Sequence, residues 1–113
     1  MVSKYEVWIA DLDPRFGTEP GKTRPVVIVQ TDLLEGHHPS TIICPMTTQI
    51  VQGATLLRIH LQTGESGMTQ SSDILMDQLR AIDNRRFVKK VGILAKQKRQ
   101  QLDDNLRILL DLQ

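Results

Sequence analysis

Three groups of side chains in this chain can do chemistry together if the fold brings them near one another. Arg24 stands just before Pro25 and the apolar run Val26–Val29, Thr47 and Thr48 follow the run Thr41–Pro45, and Asp77 and Gln78 come late in the run that starts at Asp73. A permanent cation, hydroxyl donors and a carboxylate at neighbouring strand ends make a pocket suited to a phosphodiester. A guanidinium grips two non-bridging phosphate oxygens at once and stabilises the negative charge that grows on them in the transition state. RNA carries its own nucleophile in the 2′-hydroxyl, so this pocket requires no metal, no cofactor and no protein nucleophile. The same residues also admit a purely structural reading, in which Arg24 ties down its loop through a salt bridge to Glu19 and the threonines cap a turn.

Other chemistries fit less well. Gly21-Lys22-Thr23-Arg24-Pro25 begins like the end of a phosphate-binding P-loop, but only Thr18, Glu19 and Pro20 separate Gly17 from Gly21, one residue short of the motif. Pro25 biases Arg24 toward an extended backbone. Val26–Val29 then reads as a strand, where a P-loop needs a helix N-terminus. His37 and His38 are adjacent and point apart, and His60 stands alone in a strand pattern, so no metal-ligand spacing is present. Cys44 is the single cysteine and follows Ile42 and Ile43, which suits a small core residue in a reducing compartment.

The elements that must position these groups can be read from periodicity. Tyr5–Leu12 alternates as a first strand. Asp13–Arg24, with Pro14, Gly17, Pro20 and Gly21, cannot continue it and forms a loop of a length that is usually functional. Further strands are expected at Pro25–Gln30, Thr41–Pro45, Leu56–Leu61 and Asp73–Leu79, the last extended or followed by Arg80–Asp83. Leu102, Leu106, Leu109 and Leu110 fall on one face of an amphipathic helix that the tail to Gln113 continues. Short strands with turns between them and one terminal helix indicate a mostly β (α+β) fold: a small antiparallel barrel or half-barrel with a helix packed on it.

The 113 residues are expected to form one domain, 1–113, small enough that pairing with a second copy would help bury apolar surface. With 14 basic and 13 acidic side chains the net charge is +1, so bulk charge does not announce a nucleic-acid binder. Its distribution says more, because 84–99 holds Arg85, Arg86, Lys89, Lys90, Lys96, Lys98 and Arg99 and no acidic residue. That stretch is either a solvated face or a surface for RNA or an acidic partner. No run approaches the ~18 apolar residues of a membrane span, so a soluble, cytoplasmic chain with no membrane partner is expected.

Four blocks in unbroken order resemble the MazF/PemK (Kid) toxins of bacterial toxin–antitoxin pairs. They are Asp11-Leu12-Asp13-Pro14, Gly17-x-Glu19-x-Gly21-x-x-Arg24-Pro25, Pro45-x-Thr47-Thr48-Gln49, and Asp77-Gln78-x-Arg80-x-Ile82-Asp83. The resemblance implies an SH3-like barrel with a C-terminal helix, shared with the gyrase poison CcdB, and a homodimer. It implies a metal-independent endoribonuclease that cuts single-stranded RNA, chiefly mRNA, at short sequences, leaving a 2′,3′-cyclic phosphate and a 5′-hydroxyl. It also implies a cognate antitoxin whose acidic C-terminal segment covers the site. The family's catalytic arginine falls on Arg24 and its catalytic threonine on Thr47. Asp77 is a candidate base, and Phe16, Glu19, Thr48, Gln49, Ser72 and Gln78 are expected to bind or read the RNA, Phe16 by stacking. Trp8 reads as core. The chain departs from some relatives at Thr18, where they carry a histidine, and at Leu75, where they carry an arginine. The alternative is a non-enzymatic, CcdB-like gyrase inhibitor on the same barrel, whose action would depend on the C-terminal residues.

Overall fold

The computed structural model describes residues 1–14, 16–18, 21–54 and 56–113. Among them the strands β1 (Glu6–Asp11), β2 (Thr23–Ile28), β3 (Ser40–Thr47), β4 (Arg58–Leu61), β5 (Ser72–Leu75), β6 (Arg80–Asp83) and β7 (Phe87–Ile93) precede one helix, α1 (Lys96–Leu109). All the pairings are antiparallel, in the order β4-β5-β3-β2-β1-β7, with β6 also on β3. Strand β3 is the pivot. One edge takes β2; the other takes β6 along Ser40–Ile43 and β5 at Met46 and Thr47.

Period-2 alternation sends the apolar side chains of β1, β2 and β3 into two cores. Val7, Val27, Cys44, Met46 and Ile74 pack with Leu102 of the helix, whereas Ala10, Leu12, Val26, Ile28, Ile43 and Ile82 form a second cluster flanked by Trp8 and Phe87. Trp8 therefore belongs to the core edge, as its sequence context suggests, with Phe87 packed edge-on at 5.8 Å. Burial, and then the charge of Asp77, push the Cys44 thiol up to about 12, which makes it an inert core residue. Tyr5 fastens the helix to the sheet: its hydroxyl donates to the Asp103 carboxylate at 2.8 Å, and the Arg99 guanidinium lies 5.3 Å from its ring.

The structure differs from the sequence reading in five places. Strand β2 starts at Thr23, so Arg24 lies inside it, and β3 runs on to include Thr47. The run expected as one strand to Leu79 breaks at a 3-10 turn, Met76–Gln78, although the buried Met76 still donates its N–H to Leu57 O at 3.0 Å, in continuation of the β4–β5 register. The basic stretch contains a strand, β7, that the alternation pattern did not show. The helix ends at Leu109, and Leu110 and Leu112 are exposed, so the tail does not prolong the amphipathic face.

The hydrogen-bond ladder does not close between β4 and β7, and the 3-10 turn Glu65–Gly67 lies against β7 there. The basic side chains beyond Asn84 are not one patch. Arg85 pairs with Asp83, Lys90 with Glu6 at 2.9 Å, Arg86 donates to the carbonyls of Asp11 and Asp13, and Arg99 donates to Leu94 O.

Glu6 carries a pH signature. Burial alone would raise its pKa, but donation from Lys90, Trp8 and the Ser3 amide outweighs it and holds the carboxyl below its ordinary 4.5. A depressed carboxylate stabilises the fold above its unfolded pKa, and that contribution is lost as pH falls through the folded value. Urea midpoints are therefore expected to fall on acidification below about pH 4.5, and Glu6→Gln is expected to lower the midpoint at pH 7 and flatten this decline. An unchanged acid limb in Glu6→Gln would remove Glu6 from the account.

Candidate functional site

Strand register brings the two main candidates together. Val26 pairs with Pro45, so counting two residues outward along each antiparallel strand sets Arg24 across from Thr47, on the same face of the sheet. Both line a cavity of about 340 Å³ shared with Lys22, Thr48, Gln70 and Ser72. Arg24 is half-buried, and its Nε donates to Gly21 O at 2.7 Å. Among the described residues its terminal amino groups bind nothing, so the guanidinium is oriented by one edge while the other edge is open to an anion. The Thr47 hydroxyl accepts from the Gln49 amide at 3.1 Å, which leaves its single proton to donate outward.

Lys22 is a group that the sequence reading passed over. It adopts a left-handed backbone (φ 64°), its N–H donates to Asp13 Oδ1 at 2.5 Å, and its carbonyl accepts from Leu12 at 2.9 Å. That turn adds a second cation to the cavity. Lys22 precedes β2, so strand alternation does not place it; the turn tied to Asp13 brings it to the cavity.

The remaining candidates are divided. Ser72 is buried in the cavity wall and donates to Gln70 O at 3.1 Å, while Thr48 and Gln49 are exposed beside Thr47. Asp77 and Gln78 do not reach this cavity. They line a neighbouring depression of about 370 Å³ with Thr18, Leu56 and Arg58. Phe16 presents its ring at the surface, 73% exposed. Glu19, expected to bind substrate or to pair with Arg24, lies outside the described residues. A third cavity of about 340 Å³, beside Trp8 and Phe87, offers no arginine or lysine, so size alone does not mark the site.

A groove with two cations and an oriented hydroxyl above Met46 and Met68 suits a phosphate backbone with its attached bases. The chain is 31% identical over 112 residues to the endoribonuclease EndoA of Bacillus subtilis, covering 99% of this chain and 97% of that protein. Among solved structures it resembles MazF of Deinococcus radiodurans, with a TM-score of 0.83 at 20% identity over 98% of this chain and 97% of that one. It also resembles the Mycobacterium tuberculosis toxin MazF-mt6, with a TM-score of 0.76 at 23% identity over 96% and 98%. MazF within a MazE–MazF complex of D. radiodurans matches with a TM-score of 0.78 at 19% identity over 99% and 97%. Residues 3–110 match the family model of PemK-like, MazF-like toxins of type II toxin–antitoxin systems, and the chain belongs to that family.

Proposed function

We propose that this toxin is an endoribonuclease that cleaves single-stranded RNA by attack of a 2′-hydroxyl on the adjacent phosphorus. The observation that carries the reading is the placement of Arg24 opposite Thr47 in one open, cationic cavity, and the family and the EndoA likeness support the activity. As the 2′-oxygen bonds to phosphorus, charge builds on the non-bridging oxygens. The free edge of the Arg24 guanidinium and the Thr47 hydroxyl are the donors that stabilise it. The 2′-hydroxyl proton passes to solvent as the attack proceeds, the bond to the 5′-oxygen breaks, and that oxygen takes up a proton, which leaves a 2′,3′-cyclic phosphate and a 5′-hydroxyl.

Lys22 holds a neighbouring phosphate, and Thr48, Gln49, Ser72 and Phe16 contact the flanking nucleotides. Asp77 opens onto the second depression, so it serves as base only to an RNA that spans both hollows. The exposed Ile108, Leu110 and Leu112 leave apolar surface for a second copy to cover, which supports a homodimer. The MazE–MazF complex supports a cognate antitoxin, whose acidic segment competes with RNA for Arg24 and Lys22.

The reaction predicts a sharp chemical discrimination. The purified chain is expected to cut a long RNA and to leave both single-stranded DNA of the same sequence and its 2′-O-methyl counterpart intact, because each lacks the attacking hydroxyl. Cleavage of the DNA at a comparable rate would require a different nucleophile and overturn the mechanism.

A further inference from the structure

Beside Thr47 lies an ion-paired cluster around the buried Asp73, outside the four family blocks. Asp73 pairs with Thr47 across β3–β5 and with His60 across β4–β5, so the three side chains share one face of the sheet. Only 3% of the Asp73 side chain is exposed, and its charge is met on both oxygens, by Arg58 Nη1 at 3.0 Å and by His60 Nδ1 at 3.1 Å. A carboxylate this deep is costly unless paired, so Arg58 and Asp73 hold each other in place.

The same Nη1 also donates to Gln49 O at 3.0 Å, and the Gln49 amide donates to Thr47 Oγ1. A continuous chain of contacts therefore runs from the buried carboxylate, through one guanidinium nitrogen, to the turn that orients the Thr47 hydroxyl. The base of Arg58 is equally constrained. Leu57 N donates to Asn105 Oδ1 of the helix at 2.9 Å, Leu57 O accepts from Met76, and Lys98 Nζ donates to His60 O at 2.7 Å.

We propose that Arg58, anchored on Asp73, is a positioning residue for Thr47. It pins the carbonyl of Gln49 so that the turn keeps its shape and the hydroxyl proton stays aimed into the cavity. The inference rests on the reading of Thr47 as a donor to the scissile phosphate. The side chain acts through the turn and not on the RNA, so its loss lowers the rate of the chemical step while affinity for RNA is kept.

The test is single-turnover cleavage of a long RNA at saturating protein, with affinity measured separately on 2′-O-methyl RNA. Arg58→Met is expected to slow cleavage roughly 10- to 100-fold, the scale of a small misplacement of a catalytic group, with affinity changed less than about threefold. Arg58→Lys restores most of the rate, since an ammonium has donors for both Asp73 and Gln49. Added to Thr47→Ala, Arg58→Met costs nothing further, because the two act as one unit. If Arg58→Met alone fails to fold, Arg58→Met with Asp73→Leu removes both charges and still releases Gln49. The positioning role is overturned if Thr47→Ala is defective while the Arg58 variants cleave like the parent, if the two losses add, or if affinity falls in step with rate. If Thr47→Ala itself cleaves normally, the reading of Thr47 fails and the positioning role falls with it.

Discussion

Arg24→Ala is expected to lower the rate of RNA cleavage by roughly 10²–10³-fold, the usual loss when a preorganised donor to a developing oxyanion is removed. The fold is expected to survive, because the substitution removes one hydrogen bond, from Nε to Gly21 O, at the open end of β2. The pairs further along β1 and β2, Val7 with Val27 and Trp8 with Val26, are untouched. Thermal melts of parent and variant should agree within a few degrees. Arg24→Lys separates charge from geometry: a lysine keeps the cation but loses the planar fork that meets two phosphate oxygens. It should fall between the parent and the alanine variant in rate. A lysine variant as active as the parent would mean that charge alone suffices and that the orientation imposed by Gly21 is irrelevant.

The second large effect is on stability, at the gap where the ladder fails to close. The backbones of the Glu65–Gly67 turn and β7 touch there, and only glycine permits it. A Cβ on Gly67 would come within 1.9 Å of Val91 O, and one on Gly92 within 2.1 Å of Ser66 O. Gly67 also has a φ of +81°, which disfavours any L side chain. Neither clash can be relieved by rotating a side chain, since both partners are backbone. Overpacking of this kind costs about 1–3 kcal/mol or more, and at Gly67 the strained φ adds about 1 kcal/mol. For a chain of this size, Gly67→Ala and Gly92→Ala are each expected to lower the melting temperature by roughly 10 °C or more. Melting temperatures unchanged from the parent would show that the turn does not seat against β7.

Most of the framework is legible in the sequence because its strands alternate. β1 sends Val7 into one core and Ala10, with Leu12 just beyond the strand, into the other, and Cys44 and Ile43 of β3 divide in the same way, so the apolar runs mark both strands. Strand β7 escapes that logic. It is an edge strand whose Val88, Lys89 and Lys90 are all exposed, so no alternation is selected, and Gly92 is needed for close approach rather than for pairing. The break at Met76 is likewise invisible locally, since Met76 is itself buried and keeps its hydrogen bond to Leu57 as the chain leaves the strand.

The site divides in the same way. Arg24 and Thr47 stand out because a proline precedes or follows them in family-like blocks, and β-sheet register does the rest. Arg58, His60 and Asp73 do not stand out. Each is unremarkable in its own strand, and His60 read alone is an ordinary strand histidine. Their association depends on β4 lying beside β5 in a register that sets His60 against Asp73, a long-range fact that no local pattern carries. Lys22 is placed by a left-handed turn tied to Asp13, which strand periodicity does not carry.

The central claim is that this chain cuts RNA by internal attack under the control of Arg24. Its most direct test is to map the ends left on a long RNA by the purified chain in the presence of EDTA. The account predicts cuts at defined sites, with new 5′ ends that ligate only after phosphorylation by a kinase, 3′ ends blocked as cyclic phosphates, and no such ends from Arg24→Ala. New ends that carry 5′-phosphates, or an identical set of cuts from Arg24→Ala, would contradict it.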